Sequence, residues 1–201
     1  MRGARRLVLG VVLVALLGSC SGTVEHPDAA PTAPGWAAEI AQARSEATTA
    51  FEIDALADGV VSEAEFQEVR SRLVSCLTGY GYTDVRYSDT GGLAAGFPPG
   101  FLDVGVDEAQ RVLDEQNADC AASSGERTVG QLYVAMRRNP DNRDEATILA
   151  ECLVRRGAVE PGYTGADLDR DGDEGTGVFA DEWNGDFTAC NTDPLGILDA
   201  S

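Results

Sequence analysis

Ser62 to Gly81 reads SEAEFQEVRSRLVSCLTGYG, and the fold is decided there. Ser62 and Glu65 form an S-x-x-E capping box, which satisfies the orphan amide donors at a helix start. Val61 before the cap and Phe66 after it close a hydrophobic staple. Phe66, Val69, Leu73, Cys76, Leu77 and Tyr80 then share one helical face. Gly81 supplies the left-handed position that stops the helix. The stretch predicts a punctuated helix with a cysteine on its buried side.

Upstream, Arg2, Arg5 and Arg6 precede an apolar run from Leu7 to Leu17, the pattern of a secretory leader over residues 1–19. The run is too short for a mature membrane span. Leu17-Gly18-Ser19-Cys20 resembles a bacterial lipobox, which makes Cys20 the expected site of lipidation and the membrane the expected partner of that lipid. The other reading is ordinary cleavage and free secretion. Residues 20–35 are small, polar and proline-bearing, a tether to a domain over 36–201.

The formal charge is −19, and loss of the leader's arginines takes it to −22. Such acidity opposes binding to nucleic acid and to anionic headgroups. It favours solubility and attraction of cations. All 15 basic residues are arginine. Besides Cys20 there are Cys76, Cys120, Cys152 and Cys190, an even set that in an exported chain predicts two disulfides. With no C-x-x-C, the signatures of a thioredoxin motif and a zinc ribbon are missing.

Around the central helix, Trp36 to Ala57 predicts a first helix broken by Asp58-Gly59. Thr83, Val85 and Tyr87 alternate as a short β-arm. Residues 88–106 read as a loop, and Asp107 to Cys120 as a helix with acidic residues at its positive end. A short helix covers Thr128 to Arg138. Asn139-Pro140 predicts the N-cap and first position of a further helix ending at Gly157. Leu73-x2-Cys76-Leu77-x3-Gly81 repeats the spacing of Leu149-x2-Cys152-Leu153-x3-Gly157. Each is followed by a segment opening Asp-Glu and closing on a cysteine, Asp107 to Cys120 and Asp181 to Cys190. Of the three connectivities open to four cysteines, this repeat favours Cys76–Cys120 with Cys152–Cys190. The expected fold is mainly α, a small helical domain of two related units.

Asp58-Gly59-Val60-Val61-Ser62-Glu63-Ala64-Glu65-Phe66, followed by Cys76-Leu77 and Gly81-Tyr82, resembles uncharacterised actinobacterial secreted lipoproteins. These show a DG-x-V-T/S-x-A-E-Y/F run, a cysteine–leucine pair and a glycine–aromatic pair. The likeness spans about residues 36–190. Its motifs are structural, and it brings no catalytic residue across.

Asp167, Asp169 and Asp171 stand at positions 1, 3 and 5 of an EF-hand-like start, with Gly172 at 6 and the Asp173 carbonyl at 7. Position 12 is Val178, so Asp181 or Glu182 has to supply the missing carboxylate. This set is the candidate calcium site, weighed against a solvated acidic loop. A second partial match, Asp54 to Glu65, is already explained by a helix stop and a cap. Phe179, Trp183, Phe187 and Cys190 recur as a core face or aromatic stripe, and Phe97 and Phe101 flank Pro98-Pro99-Gly100 as ligand contacts or core residues. The only histidine, His26, lies in the tether, and lysine is absent. Triad, Cys-His, HExxH, Ser-Lys and Schiff-base chemistry therefore lack their groups. The sequence thus favours a non-enzymatic envelope protein binding an unidentified protein or ligand. A calcium-binding surface module is second and a carboxylate-pair glycan hydrolase third.

Overall fold

A computed structural model describes residues 34–180 and 184–198. Eight α-helices and one two-stranded sheet make up the described chain. They are arranged as two units with separate cores.

In the first unit, α1 is Ala37–Glu46, α2 is Ala50–Ala55 and α3 is Glu63–Gly79. Strands β1 (Thr83–Tyr87) and β2 (Leu93–Gly96) form an antiparallel hairpin. A 3-10 turn at Phe101–Val104 leads into α4 (Val106–Ser124). A π-helical turn at Glu126–Gly130 precedes α5 (Gln131–Arg138).

Helix α3 lies at the centre. The Ser62–Glu65 capping box is formed in both directions, and Val61 and Phe66 are fully buried as the staple requires. Phe66, Val69, Leu73 and Leu77 make its inward stripe. Phe66 stacks on Tyr133 of α5 at 4.3 Å and meets Tyr87 of β1 at 5.8 Å. Such ring pairs contribute about 0.5–1.5 kcal/mol beyond area burial. Cys76 bonds to Cys120 and ties α3 to α4.

The second unit consists of α6 (Glu145–Arg156), α7 (Gly165–Glu174), a 3-10 turn (Gly177–Phe179) and α8 (Gly185–Thr192). Its core gathers Leu149, Leu153, Leu168 and Val178 around the Cys152–Cys190 disulfide. The repeat in sequence is therefore a repeat in structure. In each unit a Leu-Cys-Leu helix face is cross-linked to a later helix. The intervening element differs: a β-hairpin in the first unit, helix α7 in the second.

Residues 139–144 join the units. Asn139 is buried, and its side chain donates to the Arg143 carbonyl (2.8 Å) and accepts from the Arg143 amide (2.9 Å). Trp36 Nε1 donates to the Asn139 carbonyl at 3.0 Å, and Asn142 donates to the Gly35 carbonyl at 2.7 Å. The start of the described chain is thus pinned onto the connector.

Several local expectations are corrected. Trp36–Ala57 is not one helix: Thr49 caps α2 through a capping box with Glu52, and this resets the chain at Ala47–Thr49. Tyr80 is exposed past the end of α3, and Tyr82 is the buried aromatic. Asn139-Pro140 does not start α6. Asp144 caps it instead, accepting from the Thr147 amide at 2.8 Å. The 88–106 segment, read as a loop, contains β2 and a 3-10 turn.

Candidate functional site

The hairpin and the turn after it carry the most exposed apolar surface of the described chain. Thr90 to Leu102 holds no charged side chain, the longest such run after residue 35. In a chain this acidic, a charge-free stretch is expected to be buried. Here it lies on the outside. Phe97 is 49% exposed, Leu102 61% and Val106 81%, with Leu93 and Val104 also exposed.

Local chemistry holds this surface in place. The hairpin turn closes through the Ser88 amide on the Gly92 carbonyl (2.8 Å) and the Gly92 amide on Ser88 Oγ (2.8 Å). Gly91 sits at φ 81°, a conformation glycine adopts without steric cost. At Gly96, a Cβ would stand 2.5 Å from Thr83 Oγ1, so any side chain there would make the Thr83 hydroxyl rotate away. Pro98 and Pro99 then end the strand, because neither has an amide to give to a ladder.

The aromatic rings form a graded stack. Tyr82 is buried and donates its hydroxyl to Gln116 at 2.9 Å. Phe101 leans on Tyr82 at 5.9 Å and packs against the first core. Phe97 lies on Phe101, centroids 5.0 Å apart and planes 5° from parallel. Of the two phenylalanines in the Pro-Pro-Gly segment, Phe101 folds back onto the core and Phe97 is left half in solvent.

Carboxylates rim this surface. Asp89 pairs with Arg70 at 2.7 Å, and Glu108 with Arg111 at 2.7 Å. The hydrogen bond from Arg111 holds the Glu108 carboxyl below its usual range. Asp103 and Asp107 enter no ion pair among the described residues. Nearby, the hydrogen bond to Asp119 (2.8 Å) raises the Tyr80 phenol, and burial raises that of Tyr82.

The acidic set singled out for calcium is placed differently. Asp167, Asp169, Asp171 and Asp173 lie within helix α7, not in a loop. At 3.6 residues per turn, side chains two apart point away from each other, so positions 1, 3 and 5 do not converge. The Thr164–Asp167 capping box starts this helix. Asp167 is occupied by Thr164 and by Arg170 at 2.7 Å. Asp171 accepts from Tyr163 at 2.8 Å and from Arg170 at 3.1 Å. Burial, then the bond to Asp171, pushes the Tyr163 phenol up to about 12. Asp169 and Asp173 share the other side, lining a hollow of about 470 Å³ with Asp144 and Glu145 over Leu149 and Phe179. Asp144 is engaged as a cap and Glu145 pairs with Arg138. No group of three or more potential metal ligands comes together among the described residues. Glu182, Asp181, Trp183, Cys20 and His26 lie outside the described residues.

The sequence reading noted Phe97 and Phe101 but missed the surface as a whole. The signal that could have found it is the charge-free run itself, set against the acidity of the rest. Compared with known protein families, curated proteins and solved structures, the chain matches none.

Proposed function

We propose that this chain is a lipid-anchored, extracytoplasmic binding module without catalytic activity, and that it meets a protein partner through residues 93–106. The observation that carries the reading is the exposed apolar surface from Leu93 to Val106, carried on a disulfide-linked scaffold and flanked by acidic residues. Exposed apolar patches of this kind mark interaction sites. The two disulfides fit a compartment outside the reducing cytosol. No helix among the described residues is long and apolar enough to cross a membrane. The lipid anchor rests on the Leu17-Gly18-Ser19-Cys20 pattern, with residues 21–35 as the tether. The folded part supplies neither imidazole nor lysine amine for acid–base or nucleophilic work.

A photoreactive residue in place of Phe97, with a control in place of Glu115 on the exposed side of α4, tests the binding surface in intact cells. A discrete covalent adduct at 97 and none at 115 is expected; no adduct at 97 refutes the reading. Mass spectrometry of the membrane-extracted protein tests the anchor, and an unmodified Cys20 refutes it.

A further inference from the structure

We propose that the free edge of β2 takes up an extended apolar peptide segment, flanked by arginine or lysine, as a third strand of the sheet. This rests on the partner-binding reading above and names the chemistry of the partner.

The sheet has two strands among the described residues, so β2 is an edge. Tyr87 pairs with Leu93 and Arg86 with Ala94, while the Ser88 amide bonds to the Gly92 carbonyl. Antiparallel pairing alternates, so residues 92 and 94 direct their main-chain groups toward β1. Leu93 and Ala95 then direct their N–H and C=O groups outward. Edges of this kind are normally blunted by charged side chains, bulges or a covering element. Here Leu93, Ala94 and Ala95 are all exposed and none is charged. The one irregularity lies on the β1 side, between Thr83 and Arg86. Small side chains let another backbone approach to about 4.8 Å. The hairpin turn bounds the edge on one side and Pro98 on the other, which limits pairing to 93–97.

Charge selects among the occupants of this edge. A second copy would bring two strongly acidic chains together and oppose their like rims. A cationic segment meets attraction instead. Asp103 and Asp107 are without ion pairs among the described residues. The Asp103 carboxylate lies 3.4 Å from where a Gly100 Cβ would stand, against the Pro98–Phe101 turn that follows Phe97. Phe97 stacks on Phe101 by one face and is half-exposed. A guanidinium or ammonium placed over its outer face and beside Asp103 gains both a cation–π and an ionic contact. Main-chain bonds supply affinity in strand addition, and the flanking contacts supply selectivity.

The test uses the full-length chain on phosphatidylcholine nanodiscs. The probe is a ten-residue peptide of three Val-Thr repeats between pairs of arginines. Three companions carry N-methyl groups on the valines, N-methyl groups on the threonines, or glutamates in place of the arginines. The parent peptide is expected to bind and to slow amide exchange at 93–97. One N-methyl peptide loses about tenfold or more in affinity and the other far less, because only one set of amides faces β2. The glutamate peptide is also at least about tenfold weaker. Ala95→Pro, which removes an outward amide and leaves the β1 ladder intact, weakens the parent similarly. Equal binding of both N-methyl peptides overturns strand addition, as does parent binding without protection at 93–97. So does self-association through 93–97, or contact of 93–106 with a lipid-borne spin label, seen without peptide. In each case a positive crosslink at Phe97 leaves the partner-binding reading standing. Absence of both peptide binding and crosslink removes that reading too.

Discussion

Glu52 of α2 accepts the Thr128 hydroxyl at 2.7 Å, joining the second helix to the π-helical turn across 76 residues. Its other oxygen accepts the amides of Thr49 (2.9 Å) and Thr48 (3.0 Å). The residue is only 4% exposed. Burial alone would raise its carboxyl, but these bonds outweigh it and hold it below the usual range.

Glu52→Gln is therefore expected to lower stability at neutral pH by about 1–3 kcal/mol, read from denaturant unfolding. The folded carboxyl is more acidic than the unfolded one. Its contribution is present above the unfolded value, about 4.3, and is lost as pH falls through the lower folded value. The gap between wild type and variant should close in that window. A gap independent of pH between 7 and 3 would contradict this account.

Gly165 and Gly79 should respond to alanine with opposite signs. A Cβ at Gly165 would stand 2.9 Å from the Thr147 amide nitrogen and 3.0 Å from the Ala146 carbonyl carbon, both backbone atoms of α6. Gly165→Ala is expected to push α7 off α6 and cost about 1–3 kcal/mol. At Gly79, the last residue of α3, a Cβ meets nothing within 4 Å. Gly79→Ala should stabilise by about 0.5–1 kcal/mol through helix propensity. Thermal melts of the two variants check both signs.

Loss of the second disulfide should be felt in the second unit first. Cys152 and Cys190 close a span of 38 residues, which constrains the unfolded chain by about 4 kcal/mol in the loop-entropy account. The core around it is small and separate from the first. The double variant Cys152→Ser with Cys190→Ser is expected to speed amide exchange in α6–α8 while α3 and α4 keep their protection. Uniform loss of protection in both units would show that they unfold as one.

The two phenylalanines of the aromatic stack should separate stability from binding. Phe101 packs against the first core and Tyr82, so Phe101→Ala is expected to cost about 2–3 kcal/mol. Phe97 has one stacked face and is half-exposed, so Phe97→Ala should cost about 1 kcal/mol or less in stability. The same change should reduce, by the cation–π share, the preference for the arginine-flanked peptide over the glutamate-flanked one, leaving the part owed to Asp103. Urea unfolding and peptide titration on the same two variants measure both.

What could be read from sequence was whatever acts over a few residues. The Ser62–Glu65 box, the Val61–Phe66 staple and the Leu-Cys-Leu face of α3 are short-range patterns, and α3 is built as they require. The equal spacing of Leu149, Cys152 and Leu153 extended that logic to the pairing of all four cysteines. Thr49-x-x-Glu52 and Thr164-x-x-Asp167 were equally legible as capping boxes. Each overlaps a competing local pattern, an alanine-rich helical period at the first and an Asp-x-Asp-x-Asp run at the second, and the cap is what the fold uses.

Tertiary structure alone decided which apolar residues were left over. Nothing local distinguishes Phe97 from Phe101, since both flank the same Pro-Pro-Gly turn. One is covered because Tyr82 and the first core lie beneath it, and the other is not. Burial depends on what the distant chain brings to a surface. Caps and helical periods carry no information about that.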